Sequence, residues 1–249
     1  MTVYAAFDGL DGSGKTTTVR TLKTLLDDKG YKVLTYREPG STVAAEAIRE
    51  QLRNDDIPMS SAVETIMVNA ARRSLYEQVA VDVKEQKPDF VLFDRSLWST
   101  LLYQGMLKVK IDMVELGHIS SMTSFPSGDP SDDELKLSDA RAEALQFITE
   151  LHYAAQDPLP LHQFVIDAPL ELRKERVLRI GKVCELDERT FNEDAQRCVG
   201  VLNSMYSSFC VSNATSGVIT LQDNGDGIDY DECIIKLLKI KTDNNWSTP

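Results

Sequence analysis

The octapeptide Gly9-Leu10-Asp11-Gly12-Ser13-Gly14-Lys15-Thr16 follows a short apolar run, Val3–Phe7, and precedes a stretch with Val19, Leu22, Leu25 and Leu26 on one helical stripe. A glycine-rich turn between a buried strand and an amphipathic helix leaves little freedom of fold. It matches G-x-x-x-x-G-K-[ST], in which backbone N–H groups turn inward around an anion and the helix N-terminus adds partial positive charge. Loops of this kind stand at the carboxyl edge of an open parallel sheet.

The rest of the chain supports that architecture. Tyr31–Tyr36, Pro88–Asp94, His162–Asp167 and Gly217–Gln222 read as further strands, and Gly30 as the end of the first helix. A long helix is predicted from Ser61, where Ser61 and Glu64 have the spacing of a capping box, and a last helix covers Asp231–Lys241. Strands alternating with helices predict an α/β fold: a five-stranded parallel sheet with helices on both faces. One domain over 1–249 is expected, with an acidic insertion at about 107–158. Within it, Ser124–Asp139 reads as an exposed excursion. Glu171–Arg197 is dense in charge, and no apolar stripe is evident in it.

Charge and cysteine content narrow the partners. The 249 residues carry 27 Lys and Arg against 39 Asp and Glu, a net charge of −12 that argues against coating nucleic acid. Four cysteines without a C-x-x-C pair, and three histidines, make a structural zinc site or a disulfide framework improbable. No stretch approaches the ~20 apolar residues of a membrane span. A soluble cytoplasmic protein with reduced thiols is the expectation.

The loop assigns chemistry to its residues. Gly9 through Thr16, with Thr17, are candidates to bind ATP. Lys15 would reach the β- and γ-phosphates and Thr16 would offer its hydroxyl to Mg²⁺. Asp94 closes the apolar strand Phe90–Phe93, a position suited to holding Mg²⁺ through water, so Thr16 and Asp94 form the candidate metal pair. Arg37 and Arg95 stand at strand ends, suitably placed for an acceptor phosphate. Ser99 and Tyr103, like Thr100 and Gln104, are four apart and fall on neighbouring helical turns.

Taken together, Gly9–Thr16, "REPGST" (Arg37–Thr42), "DRSLWSTLLYQG" (Asp94–Gly105) and the arginine-bearing stretch Arg173–Arg189 resemble the thymidylate kinases. That family has a phosphate loop, a "REPGGT"-like motif, a "DRY…S…AYQG" motif and a mobile lid. The resemblance covers about residues 1–106 and 160–206. It implies a nucleoside monophosphate kinase fold, phosphorylation of dTMP by ATP with Mg²⁺, and a homodimer. It assigns the acceptor phosphate to Arg37 and Arg95, the 3′-hydroxyl to Asp8, and the sugar and base pocket to Ser99, Thr100, Tyr103 and Gln104. Val68 stands where the family stacks an aromatic ring on thymine, and Arg72 where an arginine bonds the base carbonyl. Val68 cannot stack, and Ser41 replaces a glycine; both departures lie near the acceptor, so a different or modified pyrimidine is an open alternative.

One branch of the family carries an arginine at the position of Gly12. Another delivers it from the lid, here about 173–192, where Arg173, Lys174, Arg176, Arg179, Lys182 and Arg189 cluster. Arg176 is the closest match to the lid arginine and Arg179 the alternative, so Lys15, Asp94, Arg95, Arg176 and Arg179 are the catalytic candidates. A deoxynucleoside kinase and a nucleotide-binding switch remain competing readings. The first would leave Arg37 little to do, and the second lacks its own motifs.

Overall fold

Strand β1 (Val3–Asp8) alternates its side chains between two helical layers. Val3, Ala5 and Phe7 face a layer formed by α1 (Lys15–Asp28) and α9 (Tyr230–Asp243), where Val19, Leu22, Leu26, Ile234 and Leu237 complete one core. Ala6, on the opposite face, meets Leu75, Tyr76 and Val79 of the long helix α3 (Ser61–Gln86). Burial on both faces is why β1 is almost wholly apolar. The structure is a computed structural model and describes residues 1–54, 56–120, 129–155, 159–180, 189–209 and 218–243.

The remaining strands are β2 (Val33–Arg37), β3 (Phe90–Asp94), β4 (Leu161–Asp167) and β5 (Ile219–Gln222). All pair in parallel in the order β2-β3-β1-β4-β5, so the expected five-stranded sheet forms. Asp94 is level with Phe7 on one side and Arg37 on the other, which brings both later motifs to the edge where the glycine loop begins.

After β3, α4 (Leu97–Thr100) runs into a π-helical stretch, Leu101–Lys108, and then α5 (Val109–Glu115). π-turns are rare and gather at functional sites. Helix α6 (Asp132–Ala155) packs on this stretch through Leu145 and Ile148. A Cβ on Gly105 would stand 2.8 Å from Leu145 Cδ2 and 3.0 Å from Ile148 Cδ1, so the two side chains pack closely over the glycine. Helices α2 (Val43–Leu52), α7 (Leu170–Arg179) and α8 (Glu193–Phe209) complete the fold. No helix among the described residues is long and apolar enough to cross a membrane.

Three local expectations change. The cap of α3 is Ser60, whose Oγ accepts from Val63 N, while Ser61 Oγ donates to the Gln104 carbonyl at 2.9 Å. Two adjacent serines made the start ambiguous, and a tertiary contact took the second. The expected excursion is partly helix: Ser131 and Glu134 form a reciprocal cap at the start of α6, and Leu137 is buried. Residues 121–128 of that excursion lie outside the described residues. The charge-dense region contains α7 and the start of α8, whose apolar stripe begins at Ala195 and continues beyond Arg197 through Cys198, Val199, Leu202 and Tyr206. Helix α7 lacked a legible stripe because one of its two buried positions is Arg173.

Candidate active site at the carboxyl edge of the sheet

The glycine loop is built as its pattern requires. Gly9, Gly12 and Gly14 all have positive φ. A Cβ on Gly12 would stand 2.6 Å from the Arg173 carbonyl oxygen, so α7 lies against the turn and leaves no room for a side chain. Lys15 is buried and folds back on its own loop, its Nζ donating to the Leu10 carbonyl at 2.8 Å. Burial, then the neighbouring Arg95, bring its pKa down to about 8. Thr16 and Thr17 are exposed at the first turn of α1, and Thr16 Oγ1 donates to Asp94 Oδ2 at 2.5 Å. The pair expected to share a metal is therefore brought together. A hydroxyl beside a carboxylate is a hard oxygen donor set that suits Mg²⁺.

Beside the loop opens a cavity of about 680 Å³. Its walls include Val68, Arg72, Arg95, Ser99, Thr100, Tyr103 and Gln104, all expected from the sequence. Arg95 holds a strained positive φ of 80°. Its guanidinium lies 4.8 Å from the Tyr103 ring centroid and donates to Asp11 Oδ1 at 2.5 Å. Burial alone would raise the Asp11 carboxyl, but Arg95 and Lys15 outweigh it and hold the group at about 2. Arg72 is fully buried, donating to Glu38 Oε2 at 2.6 Å and to Thr100 Oγ1 at 2.8 Å.

Two expected residues stand elsewhere. Asp8 does not line the cavity. It is buried beneath it, where its carboxylate accepts from Ser96 N and Oγ, Ser99 Oγ and Gln163 Nε2. Asp11, three residues on, does line the cavity, together with the carboxylates of Glu38 and Glu64. Arg37 also lies outside the cavity and pairs with Glu46 at 2.7 Å, fastening the loop that follows β2. In this structure Glu46 engages the Nη2 of Arg37. Besides Arg72 and Arg95, the cavity's cationic wall includes Arg49, Arg53 and Arg189. Their signal was present: Arg49 and Arg53 are four apart at the end of α2. Ser41 has a φ of 70°, and its hydroxyl accepts from Arg37 N at 2.8 Å, so a serine serves at a left-handed position.

The two arginines of α7 separate. Arg176 reaches the loop, donating to the Ser13 carbonyl at 3.3 Å and to the buried Asp223 at 2.7 Å. Arg179 is 72% exposed and pairs with Glu175 on its own helix. Lys182 lies outside the described residues.

The thymidylate kinase family model matches residues 7–123, which span the loop, the second motif and the π-helical stretch. The chain is 34% identical over 186 residues to the thymidylate kinase of Chlorobaculum parvum, covering 70% of this chain and 85% of that protein. The chain belongs to the thymidylate kinase family. The Bartonella quintana member is 33% identical over 218 residues, 74% of this chain and 97% of that one. The Thermosipho africanus member is 40% identical over 103 residues, a match that spans about half (51%) of its length. Among solved structures, thymidylate kinase from Ehrlichia chaffeensis superposes with a TM-score of 0.57 at 20% identity, covering 96% of this chain and 98% of that one. This likeness confirms the family's fold.

Proposed function

We propose that this thymidylate kinase family member transfers the γ-phosphoryl group of ATP to dTMP, giving dTDP and ADP. The observation that carries the reading is the junction at Asp11. There the phosphate loop abuts a cavity walled by Arg49, Arg53, Arg72 and Arg95. Transfer between two anions needs positioning and charge neutralisation more than a covalent participant. In this reading the loop N–H groups and Lys15 hold the donor phosphates, and Arg49, Arg53 and Arg95 hold the acceptor phosphate. Asp11 is ionised and can accept from the acceptor's sugar hydroxyl. Ser99, Thr100, Tyr103 and Gln104 wall the sugar and base with Val68 and Arg72. Mg²⁺, held by Thr16 and Asp94, supplies charge neutralisation and orientation of the phosphates when bound. Arg176 stands over the loop and is the cation assigned to the transferring group.

An acceptor panel tests this directly. With ATP and Mg²⁺, dTMP is expected to be the best acceptor among dTMP, dUMP, dCMP, 5-substituted dUMP and thymidine. Equal rates with purine monophosphates, or a preference for thymidine, would sink the reading. A preferred 5-substituted dUMP would move the substrate to a modified pyrimidine, which the aliphatic Val68 permits. A single cytoplasmic domain acting as a homodimer belongs to the same proposal. Val63 and Ile66 on α3, 45% and 52% exposed, offer apolar surface for a second copy, and a monomer mass by light scattering would remove that part.

Lys15 gives the reading a pH signature. Its charged form is needed at the donor phosphates and is lost in the free protein as pH rises through about 8. ATP affinity is therefore expected to fall toward tenfold per pH unit above that point. Stability moves the other way. The folded state binds fewer protons than the unfolded state between about 8 and the ordinary lysine value of 10.5, so Lys15's contribution rises with pH there. Calorimetric titration of ATP from pH 7 to 9.5 checks this, and a flat dissociation constant contradicts it.

A further inference from the structure

Arg173 is among the largest fully buried side chains of the protein, and it lies outside the cavity walls. Its Nη1 donates to the Asp11 carbonyl at 3.2 Å and to the Thr190 carbonyl at 2.9 Å; Nη2 donates to Gln196 Oε1 at 3.3 Å. The guanidinium carbon stands 5.2 Å from the centroid of the Phe191 ring. One side chain on α7 thus joins the phosphate loop to residues 190–196, on the other side of the segment expected to be the lid.

The electrostatics are unusual. Among the described residues every hydrogen-bond acceptor of Arg173 is neutral and no carboxylate lies within ion-pair distance. Its buried Nε has no hydrogen-bond partner among the described residues. Burial pushes the guanidinium below its ordinary value, with partial compensation from Tyr103, Asp11 and Asp167. A buried cation without a counter-ion is costly, and an anion nearby relieves that cost. The loop against which Arg173 packs is built to receive one: its backbone fills the space that a Gly12 side chain would take.

We propose that Arg173 is a positioning residue for the donor phosphates. It ties the Asp11 carbonyl, and with it the turn Leu10–Gly14, to residues 190–196. Its charge, hydrogen-bonded among the described residues only to neutral acceptors, favours an anion in that turn. It thereby supplies from behind the loop part of the positive charge that Gly12 lacks, without itself touching the phosphates. The proposal rests on the phosphate-loop reading of the donor site and not on the identity of the acceptor.

Separate titrations of the full-length protein with MgATP and with dTMP test it. Arg173→Met is expected to weaken MgATP binding about tenfold, the scale of losing one charge-assisted interaction, and to leave dTMP binding within twofold. Arg173→Lys, which keeps the charge, is expected to stay within about threefold for MgATP. A folded Met variant with wild-type MgATP affinity overturns the proposal, as does equal weakening toward both ligands, which marks plain structural damage. If the Met variant does not fold, Arg173→Gln is measured instead: the same tenfold loss supports the proposal and an unchanged constant overturns it. Wild-type protein that binds MgATP but not dTMP would defeat the acceptor assignment while leaving the MgATP comparison intact.

Discussion

Arg176→Ala is expected to lower kcat by about 10³-fold, with the dissociation constant for ATP changed by less than about threefold. The guanidinium lies against the phosphate loop, 3.3 Å from the Ser13 carbonyl oxygen and 3.7 Å from where a Cβ on Gly14 would stand. Asp223, buried at the end of β5, anchors its other nitrogen at 2.7 Å. A cation held there meets charge that develops on the transferring group, so its loss appears in the chemical step more than in binding. Arg179→Ala is the internal control. Its side chain is exposed and held by Glu175, so kcat and KM are expected within twofold of wild type, the scale of an exposed ion pair. Single-turnover measurement separates the two variants, and a wild-type rate in Arg176→Ala removes its catalytic assignment.

Arg72→Met is expected to have the largest effect on stability. The Arg72–Glu38 pair is 1% and 2% exposed and closes at 2.6 Å. Removing the arginine strands a buried carboxylate, which typically costs about 3–5 kcal/mol. For a chain of this length that corresponds to a drop in Tm on the order of 10 °C. Adding Glu38→Gln to Arg72→Met is expected to recover about half of the loss or more, since a neutral amide needs no counter-charge. The pH dependence has a definite sign. Burial raises the Glu38 carboxyl even with Arg72 present, and further without it. The folded variant then holds a proton that the unfolded chain releases, so its stability falls as pH rises. The deficit relative to wild type should be smaller at pH 5 than at pH 8. Urea denaturation of both variants decides this; a double variant no more stable than Arg72→Met would contradict it.

The parts of the site that were legible lie in short motifs at the ends of neighbouring strands. The phosphate loop's turn, the Thr16–Asp94 pairing and the wall from Ser99 to Gln104 follow from local geometry plus the rule that parallel strands share one edge. The expected site residues that stand outside the cavity are those whose partners the sequence does not name. Asp8 and Asp11 flank the same glycine turn, and strand position alone does not say which carboxylate Ser96 and Gln163 will consume. Arg37 stands at the right strand end but finds Glu46 nine residues later, leaving the cavity to Arg49 and Arg53. The separation of Arg176 from Arg179 needed the position of Asp223, which a reading of α7 by itself does not contain.

By itself, then, the sequence determined the sheet, its glycine loop, the family and the chemistry available at the loop, because apolar periodicity and left-handed glycines act over a few residues. Only the tertiary structure decided which charges line the cavity and which hold the scaffold. A buried ion pair or hydrogen bond is chosen among partners far apart in the chain, and packing selects the one that leaves the fewest charges uncompensated. Gly12 belongs to both accounts. Its residue type marks the loop, but its empty side chain is explained by the backbone of Arg173 lying against it.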